Sequence, residues 1–151
     1  MRRYEIAGIV GALLVIASFS AFPASLGVGV GLDPTGLILF NVTSDMTLGE
    51  SFGFRAELGF STIDVAGLML IGGLLFVHQP IEFIDPFVGV GIGAAITKVG
   101  GSALTVEGEA GTKVALFGPL FAFADLRYIV RFTAYGINYG PLYEAGLALN
   151  F

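Results

Sequence analysis

The sequence predicts an all-β fold: an eight-stranded antiparallel up-and-down transmembrane β-barrel, preceded by a signal peptide. Three observations carry this expectation. The 151 residues are 55% hydrophobic and only 13% charged, with 23 glycines, whereas ordinary soluble domains carry about 25% charged residues. Apolar and polar residues alternate with period two in segment after segment, which is the signature of strands with two unlike faces. After the N-terminal segment, no apolar run reaches the roughly 20 residues a spanning helix needs, while many reach the roughly 9–11 that suffice for a spanning strand.

The first segment is read as a targeting sequence. Met1, Arg2 and Arg3 form a basic head, an uncharged run extends from Ile6 to Ala24, and small residues gather at Ser18, Ser20, Ala21 and Ala24. That order is a signal peptide's, with cleavage expected between 20 and 24. The competing reading is a retained transmembrane helix, because nineteen apolar residues can span a bilayer. A strand pattern that begins at once afterwards favours the signal peptide. The expected organisation is therefore a signal peptide over 1–24 and one barrel over 25–151.

The strands follow in order. Residues 25–33 set Leu26, Val28, Val30 and Leu32 against Gly27, Gly29 and Gly31. Residues 51–61 set Phe52, Phe54, Ala56, Leu58 and Phe60 against Gly53, Arg55, Glu57 and Gly59. Residues 86–97 set Val88, Val90, Ile92, Ala94 and Ile96 against Gly89, Gly91, Gly93 and Thr97. Residues 104–116 set Leu104, Val106, Ala110, Val114 and Leu116 against Thr105, Glu107, Glu109 and Lys113. Residues 120–132 set Ala122, Ala124, Leu126, Tyr128, Val130 and Phe132 against Asp125, Arg127 and Arg131. Residues 143–151 alternate Tyr143, Ala145, Leu147, Leu149 and Phe151 with Glu144, Gly146 and Asn150. Segments 37–43 and 65–77 are nearly all apolar; position and length make them strands without setting their phase. Expected turns lie at Asp33-Pro34-Thr35-Gly36, Ser44-Asp45, 61–64, Gln79-Pro80, 98–103, Gly118-Pro119 and 136–140, all rich in turn-forming residues.

Charge placement tests the map. Of the sixteen charges from residue 25 onward, nine fall on strands: Arg55, Glu57, Glu107, Glu109, Lys113, Asp125, Arg127, Arg131 and Glu144. All nine share the face opposite the apolar set. A lipid-facing Arg or Lys at mid-depth would cost about 2–4 kcal/mol, so the charged face is expected to line the lumen. The other seven (Asp33, Asp45, Glu50, Asp64, Glu82, Asp85 and Lys98) are assigned to turns or strand ends. Aromatic residues are expected to form two girdles. Phe52, Phe54, Phe76, Phe87, Phe117, Phe121 and Phe151 belong to the rim nearest the strand-map termini, and Phe60, Phe132, Tyr135, Tyr139 and Tyr143 to the opposite rim. Filling of a sandwich core is the alternative use of so many Phe.

In pattern, residues 25–151 resemble the small eight-stranded outer-membrane barrels of Gram-negative bacteria, the OmpA/OmpX type. Glu144-x-Gly146-x-x-Leu149-x-Phe151 is similar to the C-terminal signal of that family, which implies recognition by the barrel assembly machinery. Asp85-Pro86-Phe87-Val88-Gly89-Val90-Gly91-Ile92-Gly93 and Ala124-Asp125-Leu126-Arg127-Tyr128 are similar to its fifth and seventh strands. The resemblance implies residence in the bacterial outer membrane with lipid as the surrounding partner. The short expected outer loops depart from the family and weigh against adhesion or receptor roles.

Five acids and four bases among the inward charges suggest mutual pairing in a barrel only wide enough for its own side chains. The expected role is structural, with a plugged lumen centred on Arg127, Arg131, Glu107 and Glu109. The inward glycines of the first and fifth strands leave room for the alternative of a narrow pore for small solutes. An exported lipocalin-like lipid-binding barrel is a further alternative, with the faces reversed. No enzyme is expected: a hydrolytic triad needs Ser, His and an acid in reach, and His78, beside Gln79-Pro80, is the one histidine. With no cysteine, a thiolate metal site is excluded. No cofactor is expected, since Gly89-x-Gly91-x-Gly93 precedes no helix and so lacks the context of a phosphate loop. A net charge of −5 with scattered basic residues argues against nucleic-acid binding. The expected state is a monomer.

Overall fold

The computed structural model describes residues 24–61, 68–97 and 101–151. The expected signal peptide lies outside them except for Ala24, as do the turn at 62–64, the start of the segment expected over 65–77, and residues 98–100.

Eight strands form one closed antiparallel barrel in which each strand pairs with its sequence neighbours and the last with the first. They are β1 (Ala24–Leu32), β2 (Ile38–Thr47), β3 (Phe52–Phe60), β4 (Leu68–His78), β5 (Ile84–Thr97), β6 (Gly101–Phe117), β7 (Leu120–Thr133) and β8 (Gly136–Asn150). Closure runs from Ser25 opposite Asn150 to Leu32 opposite Tyr143, so β1 starts and β8 ends at the same mouth. A closed ladder satisfies every strand's backbone groups internally, as a lipid-facing fold requires.

The faces are inverted relative to a soluble barrel. Val88, Val90, Ile92, Leu75, Leu126 and Leu147 project outward and are exposed, Val90 by 70%, while Arg55, Glu57, Glu109, Asp125, Arg127 and Glu144 are buried inside. A lipocalin-like arrangement would place these two sets the other way round.

Two expected turns prove to be strand, and so does the described half of a third, since Gly101, Ser102 and Ala103 of the turn expected over 98–103 open β6 opposite Thr97, Ile96 and Ala95. Ser44-Asp45 continues β2, with Asp45 opposite Arg55; the actual turn comes at 48–51, where Gly49 takes φ 97°. Residues 136–140 continue β8, with Gly136 opposite Thr133 and Asn138 opposite Arg131. Their Gly and Asn residues suggested a turn, but cross-strand pairing overrides that local preference. The phases left open by sequence resolve through burial: Leu39, Asn41, Thr43 and Asp45 face inward on β2, and Leu68, Leu70, Leu74, Phe76 and His78 face inward on β4.

The girdles also need correction. Phe52, Phe117 and Phe151 are exposed at the terminal mouth, and Phe60, Tyr135, Tyr139 and Tyr143 at the other. Phe76 and Phe87, expected in the first girdle, are buried inside the barrel with Leu74, and Phe121 lines a cavity at the terminal mouth. All three sit on the inward parity of their strands. Mid-strand Phe40 and Tyr128 face outward and stack on Phe60 and Tyr139, with ring centroids 6.0 and 6.1 Å apart.

The inward glycines do not leave open space. A β-carbon on Gly29 would lie 3.0 Å from Phe123 Cζ, one on Gly31 3.1 Å from Leu142 Cδ1, one on Gly89 2.8 Å from Leu74 Cδ2, and one on Gly91 2.8 Å from Glu107 Oε1. Large side chains from other strands occupy what the glycines vacate. At the β1–β8 seam a β-carbon on Gly146 would run into Val28 O and the Phe123 ring, whereas one on outward Gly108 would meet nothing within 4 Å. Gly146→Val is therefore expected to destabilise the barrel by about 1–3 kcal/mol through overpacking, and Gly108→Val to be neutral or stabilising, since Gly weakens a strand interior. The temperature at which each variant loses its compact band in an unheated-versus-heated gel series checks the difference.

Candidate functional site

The candidate site is the lumen, which is layered along the barrel axis. Alternation sends the odd residues of β2, β3, β6 and β7 inward, so Asp45, Arg55, Glu57, Glu109, Lys113, Asp125 and Arg127 converge at mid-depth. Even residues of β8 add Glu144.

Arg55 on β3 is 2% exposed. Its Nε donates to Asp45 Oδ1 at 2.6 Å and its Nη2 to Asp45 Oδ2 at 3.0 Å, the bidentate geometry that makes Arg–carboxylate pairs strong. Its Nη1 donates to Glu109 on β6 and lies 3.8 Å from Asp125 Oδ2. Arg127 on β7 is fully buried. Its Nη1 donates to Glu57 on β3, its Nη2 lies 2.7 Å from Glu144 Oε2, and its Nε lies 3.3 Å from Asp125 Oδ1 and 3.5 Å from Glu109 Oε2. Asn41 Nδ2 donates to Glu144 Oε2 at 2.6 Å, and Lys113 Nζ lies 2.6 Å from Asp45 Oδ2. Since β3 and β7 stand on opposite walls of an eight-membered ring, the Arg127–Glu57 pair crosses the lumen.

Apolar side chains pack against this ionic band, which stays open to the terminal mouth through the cavity that Asp45 and Lys113 line. Towards the terminal mouth lie Leu74, Phe76 and Phe87. The Arg55 guanidinium carbon sits 5.0 Å from the Phe87 ring centre and Lys113 Nζ 5.2 Å from that of Phe76, within cation–π range. Towards the other mouth a buried cluster of Leu39, Leu68, Leu70, Ala95, Ile129 and Leu142 fills the bore. Between band and cluster the space beside Glu57, Thr105 and Glu107 is about 10 Å³, room for one water at most.

The expected network is thus partly redrawn. Arg127 and Glu109 are at its centre, but Glu107 and Arg131 form no ion pair within the described residues. Arg131 sits four residues beyond Arg127 on β7, past Ile129, at the mouth opposite the termini. Asp45, assigned to a turn by sequence, is instead the main partner of Arg55 and Lys113. The signal that could have found it is the run Asn41-x-Thr43-x-Asp45, polar at every second position, alternating with Phe40 and Val42. Of the expected assembly signal, Glu144 points into the band, while Leu149 and Phe151 are exposed on the outer side.

His78 is the last residue of β4, next to Gln79-Pro80. Its Nδ1 is 3.1 Å from both carboxylate oxygens of Asp85, its ring meets Phe76 edge-on at 5.6 Å, and its Nε2 is buried without a partner. Ser25 lines the same cavity of about 130 Å³, with Lys113, Asp45 and Phe121. No hydrogen bond joins Ser25 to His78 or Asp85, so a nucleophile–base pair is not formed there.

No protein-family model matches the sequence, and no curated protein matches it. Solved structures do match in fold. The N-terminal β-barrel domain of Pseudomonas aeruginosa OprF superposes with a TM-score of 0.70 at 15% identity, over 85% of this chain and 96% of that one. Neisserial surface protein A gives 0.61 at 13%, over 85% and 94%. The outer membrane enzyme PagL gives 0.56 at 12%, over 84% and 98%. The fold is therefore that of the small eight-stranded outer-membrane β-barrels, in agreement with the resemblance drawn from the sequence.

Proposed function

We propose that this protein is a monomeric integral barrel of the bacterial outer membrane whose role is structural, its lumen closed by its own side chains. The observation that carries this reading is the pair of buried arginines: Arg55 ties β3 to β2 and β6, and Arg127 ties β7 to β3 and β8, through ion pairs within the bore. The buried apolar cluster of Leu39, Leu68, Leu70, Ala95, Ile129 and Leu142 closes the bore on the side away from the termini. The exposed aliphatic belt fits hydrocarbon, and the fold shared with outer-membrane barrels supports that location. Glu144, Gly146, Leu149 and Phe151 serve as the assembly signal in this reading, and the barrel has no catalytic role; the likeness to PagL extends to fold alone, and His78 has no nucleophile in hydrogen-bond reach among the described residues.

The test is conductance of the refolded full chain in planar bilayers. No stepwise current is expected at voltages that leave the membrane intact. Discrete channels would replace this reading with a narrow pore for small solutes.

A further inference from the structure

Arg131 stands apart from the other lumenal cations. Arg55, Lys113 and Arg127 each have a carboxylate within 4 Å, whereas Arg131 has none among the described residues. Its Nε is shielded from solvent and makes no hydrogen bond. Asp33 lines the same mouth but is engaged elsewhere: its Oδ1 accepts from Thr35 N at 2.8 Å, Thr35 Oγ1 at 2.6 Å and Leu37 N at 2.9 Å, capping its own turn. Slight burial favours the neutral form of Asp33, but those hydrogen bonds and the charge of Arg131 outweigh it and hold the carboxyl below its ordinary value.

Two cavities, of about 300 and 270 Å³, meet at Arg131, and Asn138 opposite it on β8 lines both. Their volumes lie at the lower end of small-molecule sites. Their floor is apolar: Leu68 and Ala95 line one, Leu142 and Ile129 the other, and all four belong to the buried cluster below the mouth. Tyr135 and Tyr139 stand at the rim. A guanidinium with no counterion among the described residues, set above a greasy floor, is an unfinished site. It presents donors in a fork that matches a carboxylate, with apolar surface beside it for the rest of a ligand.

We propose that this mouth binds a small amphipathic carboxylate, with Arg131 and Asn138 holding the oxyanion and the Leu68, Ala95 and Leu142 floor holding the apolar body. One guanidinium balances one negative charge, so a monoanion fits better than a free phosphate dianion beside Asp33. The apolar floor adds affinity that an inorganic anion cannot draw on.

The experiment titrates 2-naphthoate, its uncharged isostere 2-naphthamide, and inorganic phosphate against the full chain in phosphatidylcholine nanodiscs, followed by backbone-amide and methyl chemical shifts. Saturable shifts with naphthoate are expected at Arg131, Asn138, Leu68 and Ala95, with naphthamide bound about tenfold more weakly, the worth of one charge-assisted contact. Arg131→Gln is expected to weaken naphthoate about tenfold and to leave naphthamide unchanged; it removes no ion pair among the described residues, so the barrel is expected to stay folded. Ala103→Phe, which fills the larger cavity that Ala103 lines, is expected to abolish binding of both ring compounds with Arg131 intact. The proposal is overturned by unsaturable shifts confined to outward residues, by equal naphthoate affinity in Arg131→Gln, or by phosphate binding as tightly as naphthoate. Shifts at Arg131 on changing to phosphatidylglycerol discs with no naphthoate present would assign the site to a lipid headgroup and overturn it too.

Discussion

Arg127→Met is expected to be the most damaging single substitution in the lumen. Arg127 faces Glu57, Glu109, Asp125 and Glu144, and methionine would leave four carboxylates converging with only Arg55 nearby. Removing one partner from a buried ionic group typically costs about 3–5 kcal/mol, because the remaining charge is left desolvated and uncompensated. Arg131→Gln, four residues along the same strand and on the same face, removes a cation with no ion-pair partner among the described residues. It is expected to stay within about 0.5 kcal/mol of the parent. Urea unfolding in lipid vesicles measures both. Equal stability of the two variants would mean that the ionic band does not hold the barrel together. A Glu57→Gln and Arg127→Met double variant is expected to be less unstable than the sum of its parts, since the two side chains share one contact.

Val90→Arg should produce the second large effect, on the opposite face. Val90 lies mid-strand on β5 and is among the most exposed aliphatic side chains. An arginine at the bilayer midplane of a barrel costs about 2–4 kcal/mol, falling to about 0–1 kcal/mol near the interface. Ile137→Arg, near the start of β8 and also exposed, provides the shallow reference. Vesicle unfolding of the two variants should therefore differ by about 2 kcal/mol or more. Indistinguishable values would show that the exposed belt does not sit at graded depth in hydrocarbon, and the membrane assignment would fall with it.

Most of the architecture was legible because lipid imposes a simple rule. Charges at 55 and 57, at 107, 109 and 113, and at 125, 127 and 131 recur at even spacings, and in a period-two element that puts each set on one face. Strand count and the side on which each charge lies followed from that. Turn positions were less legible. Asp45 and the Gly136–Gly140 stretch carry turn-forming residues, yet their strands extend through them, because ladder pairing and the Arg55 contact outweigh local preference. Phe76 and Phe87 were misassigned for a related reason: a phenylalanine suits a girdle or an interior equally well, and only the unresolved phase of β4 separated the two for Phe76.

The sequence alone determined which side chains turn away from lipid, since alternation and the cost of a charge in hydrocarbon leave a single choice for each strongly patterned strand. It could not determine which inward charges meet. Pairing depends on how far neighbouring strands are staggered around the ring, and stagger is a property of the closed barrel. Barrel closure brought Arg127 to Glu57 across the bore, gave Asp45 to Arg55 and Lys113, filled the space over Gly29 and Gly91 with Phe123 and Glu107, and left Arg131 above an apolar floor with no ion pair among the described residues.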